Sequence, residues 1–179
     1  MRSDAWPIFA RGDFRQPGEA VSPRGIAAIT GISPDWGLKE DAPEAERRKA
    51  LANWIADPKN PLTPRVIVNR FWAQHFGAGL VRTTSDLGFQ GGQPSHPELL
   101  DWLASELVQP TTPTRSVSEG VSAQPWSLKH IHRLILNSAT YRQASRAVPE
   151  AMKVDAENRL LWRRPAQRLE AETFRDAVL

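Results

Sequence analysis

Five polar residues mark where this sequence could do chemistry: Asn69, Arg70, His75, Asp86 and His96. Asn69 and His75 fall inside the apolar arc of a predicted helix, and Arg70 faces away from it. Asp86 is the one carboxylate in the glycine-rich stretch 77–95 that follows. His96 sits beside the predicted start of the next helix, a position that favours a bound anion. If the five converge beneath 77–95, they line a polar pocket for a ligand. A simpler arrangement competes and is preferred. A buried amide needs partners for both its donor and its acceptor, and Asn69 finds them by clamping the backbone of 77–95. Glycoside cleavage needs two carboxylates at a suitable separation, and Asp86 has only Glu98 and Asp101 just beyond the stretch. His130 and His132 are two residues apart, so on a helix they point about 160–200° away from each other and cannot share an ion. The helical wheel places His132 on the apolar arc and His130 toward solvent. There is no phosphate loop ending in Gly-Lys-Ser or Gly-Lys-Thr, no His-Glu-x-x-His helix and no Gly-x-Ser-x-Gly elbow.

The element that must position these groups runs from Asn60 to Gly77. Thr63 is placed to cap it, Pro64 suits its first turn, and Gly77 supplies a left-handed stop. Ile67, Val68, Phe71, Trp72 and Phe76 cover one broad arc, extended by Val66 and Ala73, with Arg70 and Gln74 outside it. A preceding helix opens at Asp41-Ala42-Pro43-Glu44, with Asp41 as cap and Leu51, Trp54 and Ile55 as its stripe. Ser95-His96-Pro97-Glu98 is a capping box for a helix reaching Val108, with Leu99, Leu100, Leu103, Leu107 and Val108 on one face. Ser127 caps a helix over 128–138 lined by Leu128, Ile131, Leu134 and Ile135. Residues 139–154 are mixed with a turn near Pro149, 155–163 form a short helical turn, and 168–179 read as a last helix. Trp54, Trp72 and Trp102 are expected in the core.

The fold class that follows is mainly α, an irregular helical domain with a long Gly-rich loop over 77–95 and a short N-terminal strand within residues 6–16. Pro17-Gly18 reads as the turn after that strand. Leu80, Val81, Leu87 and Phe89 supply apolar anchors for the loop. Residues 1–42 form an extended arm, 43–108 the helical core, 109–125 a flexible insertion rich in Pro, Thr and Ser, and 126–179 a helical continuation. The chain reads as a fragment that stops within a helix.

Composition narrows the classes. With 179 residues and 40% hydrophobic content the chain can bury a core. No apolar run reaches the ~18 residues of a membrane span, and no signal-peptide pattern is visible. The absence of cysteine excludes disulfides and zinc-thiolate sites within these residues. Residues 110–179 carry 11 basic and 7 acidic groups. The net charge of only +3 disfavours nucleic acid as a partner.

Several runs together carry a resemblance. They are Leu51-Ala52-Asn53-Trp54-Ile55, Val66-Ile67-Val68-Asn69-Arg70-Phe71-Trp72, His75-Phe76-Gly77, Ser85-Asp86-Leu87-Gly88 and His96-Pro97-Glu98-Leu99-Leu100-Asp101-Trp102. Trp126-Ser127-Leu128-Lys129, Ile135-Leu136-Asn137-Ser138-Ala139-Thr140-Tyr141-Arg142 and Asn158-Arg159-Leu160-Leu161-Trp162-Arg163 extend them. The sequence resembles the planctomycete-expanded domain of unknown function 1553, the C-terminal module of large exported proteins. The resemblance implies export to a periplasmic or outer compartment and upstream modules, often cytochrome c-like, that would hold any haem. It implies no cofactor in this chain and transfers no catalytic residues. The expectation is a non-catalytic binding or scaffolding module whose partners are other domains of the same parent protein. The alternatives are an enzyme acting on polysaccharide or sulfated glycan, and nucleic-acid binding through the basic C-terminal third.

Overall fold

The computed structural model describes residues 6–112, 124–169 and 171–178. Residues 113–123, most of the expected insertion, lie outside them. The described residues are mainly helical, with six α-helices and one two-stranded sheet. The chain divides into two compact units, residues 1–63 and 64–179.

In the first unit, β1 (Trp6–Phe9) pairs antiparallel with β2 (Pro17–Val21). The expected turn at Pro17-Gly18 is corrected. Both residues belong to β2, because the chain has already reversed at Arg11 and Gly12, whose φ angles are positive, and at Asp13, whose carboxylate accepts Arg15 N–H at 2.9 Å. Pro17 then takes the first position of a strand, where its missing N–H is tolerated. α1 (Glu44–Ala56) follows. Asp41 does not cap it: the cap position is Pro43, with no side-chain hydrogen bond, and Arg47 Nε donates to Ala42 O at 2.6 Å instead. None of its described residues is buried, and the expected stripe residues Leu51 and Ile55 are exposed. The stripe residue Trp54 donates from Nε1 to Ser33 O at 3.0 Å.

α2 (Leu62–Phe76) is the central helix. Its start is held by Asn60, not Thr63. Asn60 Oδ1 accepts Leu62 N–H at 3.0 Å and Thr63 N–H at 3.4 Å, while its Nδ2 donates to Trp54 O at 3.1 Å. Two orphan donors of the first turn are thereby satisfied. Gly77 ends the helix with φ +80°, where a side chain would be strained. Val68, Asn69, Trp72 and Phe76 are buried, and Arg70 and Gln74 are exposed.

The core of the second unit packs these α2 side chains with Leu80 and Val81 of the irregular 77–96 segment, and with α3 (Pro97–Val108) and α4 (Leu128–Asn137). Leu100, Leu103, Ala104 and Leu107 come from α3, and Ile131 and Ile135 from α4. Ser127 caps α4 as expected, accepting His130 N–H at 3.3 Å. Ser95 does not cap α3. Its hydroxyl and its N–H both donate to Leu80 O, so it closes the base of the loop. Trp102 and Leu128 are exposed rather than core, and so is Phe89, at the loop tip. Within residues 139–154, expected to be mixed with a turn near Pro149, the chain forms the short helix α5 (Pro149–Val154). Residues 155–163, expected as a short helical turn, form consecutive turns with Asn158 and Leu161 at positive φ. The last helix, α6, is Ala171–Val178.

Candidate functional site

Asn69 is completely buried, and its amide forms the clamp. Nδ2 donates to Val81 O and Oδ1 accepts Val81 N–H, both at 2.9 Å. The side chain thereby completes both backbone groups of one loop residue, as a neighbouring strand would. The loop must come very close for this. A Cβ on residue 79 would stand 2.5 Å from Val81 O and 2.7 Å from Asn69 Oδ1, so only glycine fits at Gly79. Asn69→Leu is expected to cost about 1–3 kcal/mol, the penalty for leaving buried groups unpaired. Amide hydrogen exchange across 78–95 should quicken with it, and unchanged exchange would show that the clamp does not hold the loop.

The other four residues take separate places. Arg70 is exposed. Asp86 shapes its own turn, with Oδ1 accepting Gly88 N–H at 2.9 Å and its carbonyl accepting the Thr83 hydroxyl at 2.6 Å. His96 Nδ1 lies 3.0 Å from Ser95 Oγ. His75 Nε2 lies 2.8 Å from His132 Nδ1, a contact that needs one of the two ring nitrogens unprotonated. Among the described residues no hydrogen bond, ion pair or ring contact joins any two of Asn69, Arg70, His75, Asp86 and His96.

The His75–His132 pair is set among Phe71, Tyr141 and Arg164, whose guanidinium lies 4.1 Å from the Tyr141 ring centre. Burial, followed by the His132 and Arg164 charges, lowers the His75 pKa below the ordinary 6.5. The unfolded chain then takes up the proton at higher pH than the folded one. The stability this group contributes is complete above pH 6.5 and is lost as pH falls through the lowered folded value. Denaturation midpoints should fall with pH in that range, and His75→Gln should flatten the slope. An equal slope in the variant would place the titration elsewhere.

A second buried polar pair was not anticipated. Glu106 and His130 are both almost completely buried, with Nε2 2.7 Å from Oε2. Burial pushes the Glu106 carboxyl up. Hydrogen bonds from Thr111, His130 and Thr112 more than offset it and hold the pKa at about 2. The carboxylate is therefore charged at neutral pH, and His130 Nε2 is its donor. The reading of His130 as solvent-facing is corrected. A sequence signal for the acid existed: Glu106 lies seven residues after Leu99, about 20° from it on the wheel and inside the apolar arc.

A cleft of about 290 Å³ opens in the second unit. Its floor includes Trp72, Phe76 and Leu80, and one wall is Ala78, Gly79 and Ser95. The opposite wall is the turn segment 156–166, carrying Glu157, Arg159 and Arg163, and Arg82 reaches across the rim. Arg82 Nη1 pairs with Glu157 Oε2 at 3.0 Å. Asn158 holds the turn as Asn69 holds the loop, donating from Nδ2 to Arg163 O at 2.8 Å and accepting Arg163 N–H at 3.2 Å. None of the five residues singled out by sequence lines this cleft. It is built by main-chain turns and by residues scattered from 72 to 166, which no local pattern joins. Among the described residues no group of three His, Cys, Asp or Glu side chains is placed to hold a metal ion. No described helix is long and apolar enough to cross a membrane.

Residues 47–179 match the model of a family described as PSD1, a protein of unknown function (DUF1553). No curated protein and no solved structure matches the chain.

Proposed function

The chain belongs to the PSD1 (DUF1553) family, and we propose that it serves there as a non-catalytic helical binding module of a larger exported protein. The observation that carries this reading is the cleft, in which Glu157 is the one carboxylate among the described lining residues. Glu157 is held in an ion pair with Arg82, and general acid–base cleavage of a glycoside needs two carboxylates, one protonated and one free. The acids weighed for an enzyme on polysaccharide or sulfated glycan are engaged elsewhere or apart from the cleft. Asp86 shapes the loop turn, Asp101 pairs with Arg65 at 2.6 Å, and Glu98 is an exposed residue of the first turn of α3. The buried polar side chains Asn60, Asn69, Glu106, His130 and Asn158 all have intrachain partners, as expected of a scaffold. In this reading the module's macromolecular partners are other domains of its parent, and any haem sits in an upstream cytochrome c-like module. The planctomycete setting and export rest on the sequence resemblance.

The test is a turnover screen of the purified chain against neutral and sulfated polysaccharides, run beside a thermal-shift binding screen. Saturable binding without product release is expected. Product release that Asp86→Ala abolishes would replace this reading with the enzyme.

A further inference from the structure

We propose that the cleft over Trp72, Phe76 and Leu80 recognises a carboxylate attached to an apolar body, with Arg163 as the group that grips it. The proposal rests on the binding reading above and names the ligand class for the same site.

The cleft brings three guanidinium groups, Arg82, Arg159 and Arg163, to one opening. They are not equivalent. Arg82 is neutralised by Glu157, through Oε2 at 3.0 Å and the backbone carbonyl at 3.4 Å. Arg159 has a carboxylate nearby in Asp155, whose oxygens accept the backbone N–H groups of Arg159 and Leu160 at 2.9 and 2.7 Å. Arg163 differs from both. Among the described residues its buried Nε has no hydrogen-bond partner and its guanidinium forms no ion pair. A buried N–H without a partner is unfavourable and persists only when surrounding structure imposes it.

The surroundings do impose it. The Arg163 guanidinium lies 5.0 Å from the Trp162 ring centre, and the Trp162 indole is tied to Asp155 O at 2.9 Å. Both backbone groups of Arg163 are held by Asn158. Asn158 and Leu161 keep φ values of 55° and 58°, a left-handed conformation that non-glycine residues seldom adopt and that clusters at ligand sites. The cation is thus held in place among the cleft-lining residues, with its buried Nε unpartnered among the described residues. Arginine's planar fork matches the two oxygens of a carboxylate. The aromatic and aliphatic floor offers the rest of the ligand an apolar contact. A volume of about 290 Å³ limits the bound part to a small group. That group can be a free organic acid or the C-terminal residue of a polypeptide, because both present the same carboxylate on an apolar body.

The experiment uses the full chain and follows the indole N–H signals by NMR during titration with benzoate, with benzamide, and with a short peptide ending in phenylalanine as the free acid. Benzoate is expected to shift the Trp72 signal saturably, at least ten-fold tighter than its neutral isostere benzamide, and more weakly as salt rises. Arg163→Met keeps the stem over Trp162 and removes both the charge and the unmet donor, so it should fold as well as the parent. It should lose at least ten-fold in benzoate affinity, with Arg163→Lys recovering part of it. Tighter binding of the peptide than of benzoate identifies a polypeptide terminus as the source, and weaker binding a free acid. Either outcome supports carboxylate recognition. Benzamide binding as well as benzoate, or Arg163→Met binding like the parent, overturns the ligand class while leaving a binding cleft. No saturable shift with any of the three probes overturns carboxylate recognition, while the polysaccharide and thermal-shift screen decides the binding reading on its own.

Discussion

Truncating Trp72 to alanine is expected to cost about 3–5 kcal/mol, the range for deleting a large aromatic from a packed core. Trp72 is 3% exposed. Its ring stacks on Phe76 one helical turn later, with centroids 4.3 Å apart, and the two belong to the cluster that includes Leu80, Leu103 and Ile135. Deleting it leaves a void between α2 and the loop that rigid neighbours refill only in part. Domains are commonly stable by only about 5–15 kcal/mol, so the loss is a large share of the total. Urea denaturation of the purified variant is the measurement. A midpoint equal to that of the parent would remove Trp72 from the core. The substitution also empties part of the cleft floor, so any variant that remains folded should bind benzoate more weakly.

The second large effect is expected at the buried acid. Glu106→Ala deletes the acceptor for His130 Nε2, for both threonine hydroxyls and for the backbone N–H groups of Thr111 and Thr112. Removing the acceptor leaves the buried His130 Nε2–H and the threonine donors without a partner, and each buried unpaired group typically costs about 1–3 kcal/mol. The double variant Glu106→Leu with His130→Leu should be less unstable than the sum of its single changes, since neither polar group is then stranded. Simple additivity would show that the two do not act as a pair. The pair also sets an acid limit. The folded pKa of about 2 lies below the ordinary 4.5, so the unfolded chain binds the proton first. The stabilisation is complete above about pH 4.5 and disappears as pH falls through about 2. Acid titration of the parent should show that loss, and Glu106→Gln should lack it.

These two sites show how far local pattern reaches. The arc of α2, its left-handed stop at Gly77, the reach of α3 to Val108 and the Ser127 cap of α4 follow from spacing that neighbouring residues impose on one another. So does the Asn69 clamp, because an amide inside an apolar arc must find partners and the nearest unpaired backbone lies just beyond the helix. Caps read from residue type alone fared worse. Thr63, Asp41 and Ser95 all suit a cap, but Asn60 already satisfies the first donors of α2, and Ser95 turns to Leu80 O.

Local periodicity could not rank His130 against His132. The two flank Ile131 at about 100° on either side, and counting Leu128 as core draws the arc toward His132. Leu128 is 48% exposed, and His130 is buried because Glu106 waits on another helix. The sequence by itself therefore determined the helical class, the central element and its clamp. Tertiary structure alone decided the Glu106–His130 pair and the arginine cleft. Their members lie 24 residues apart in the pair and between residues 72 and 166 in the cleft. A periodic pattern reports only which face of one element is apolar, whereas a buried pair or a cleft exists only once separate elements meet.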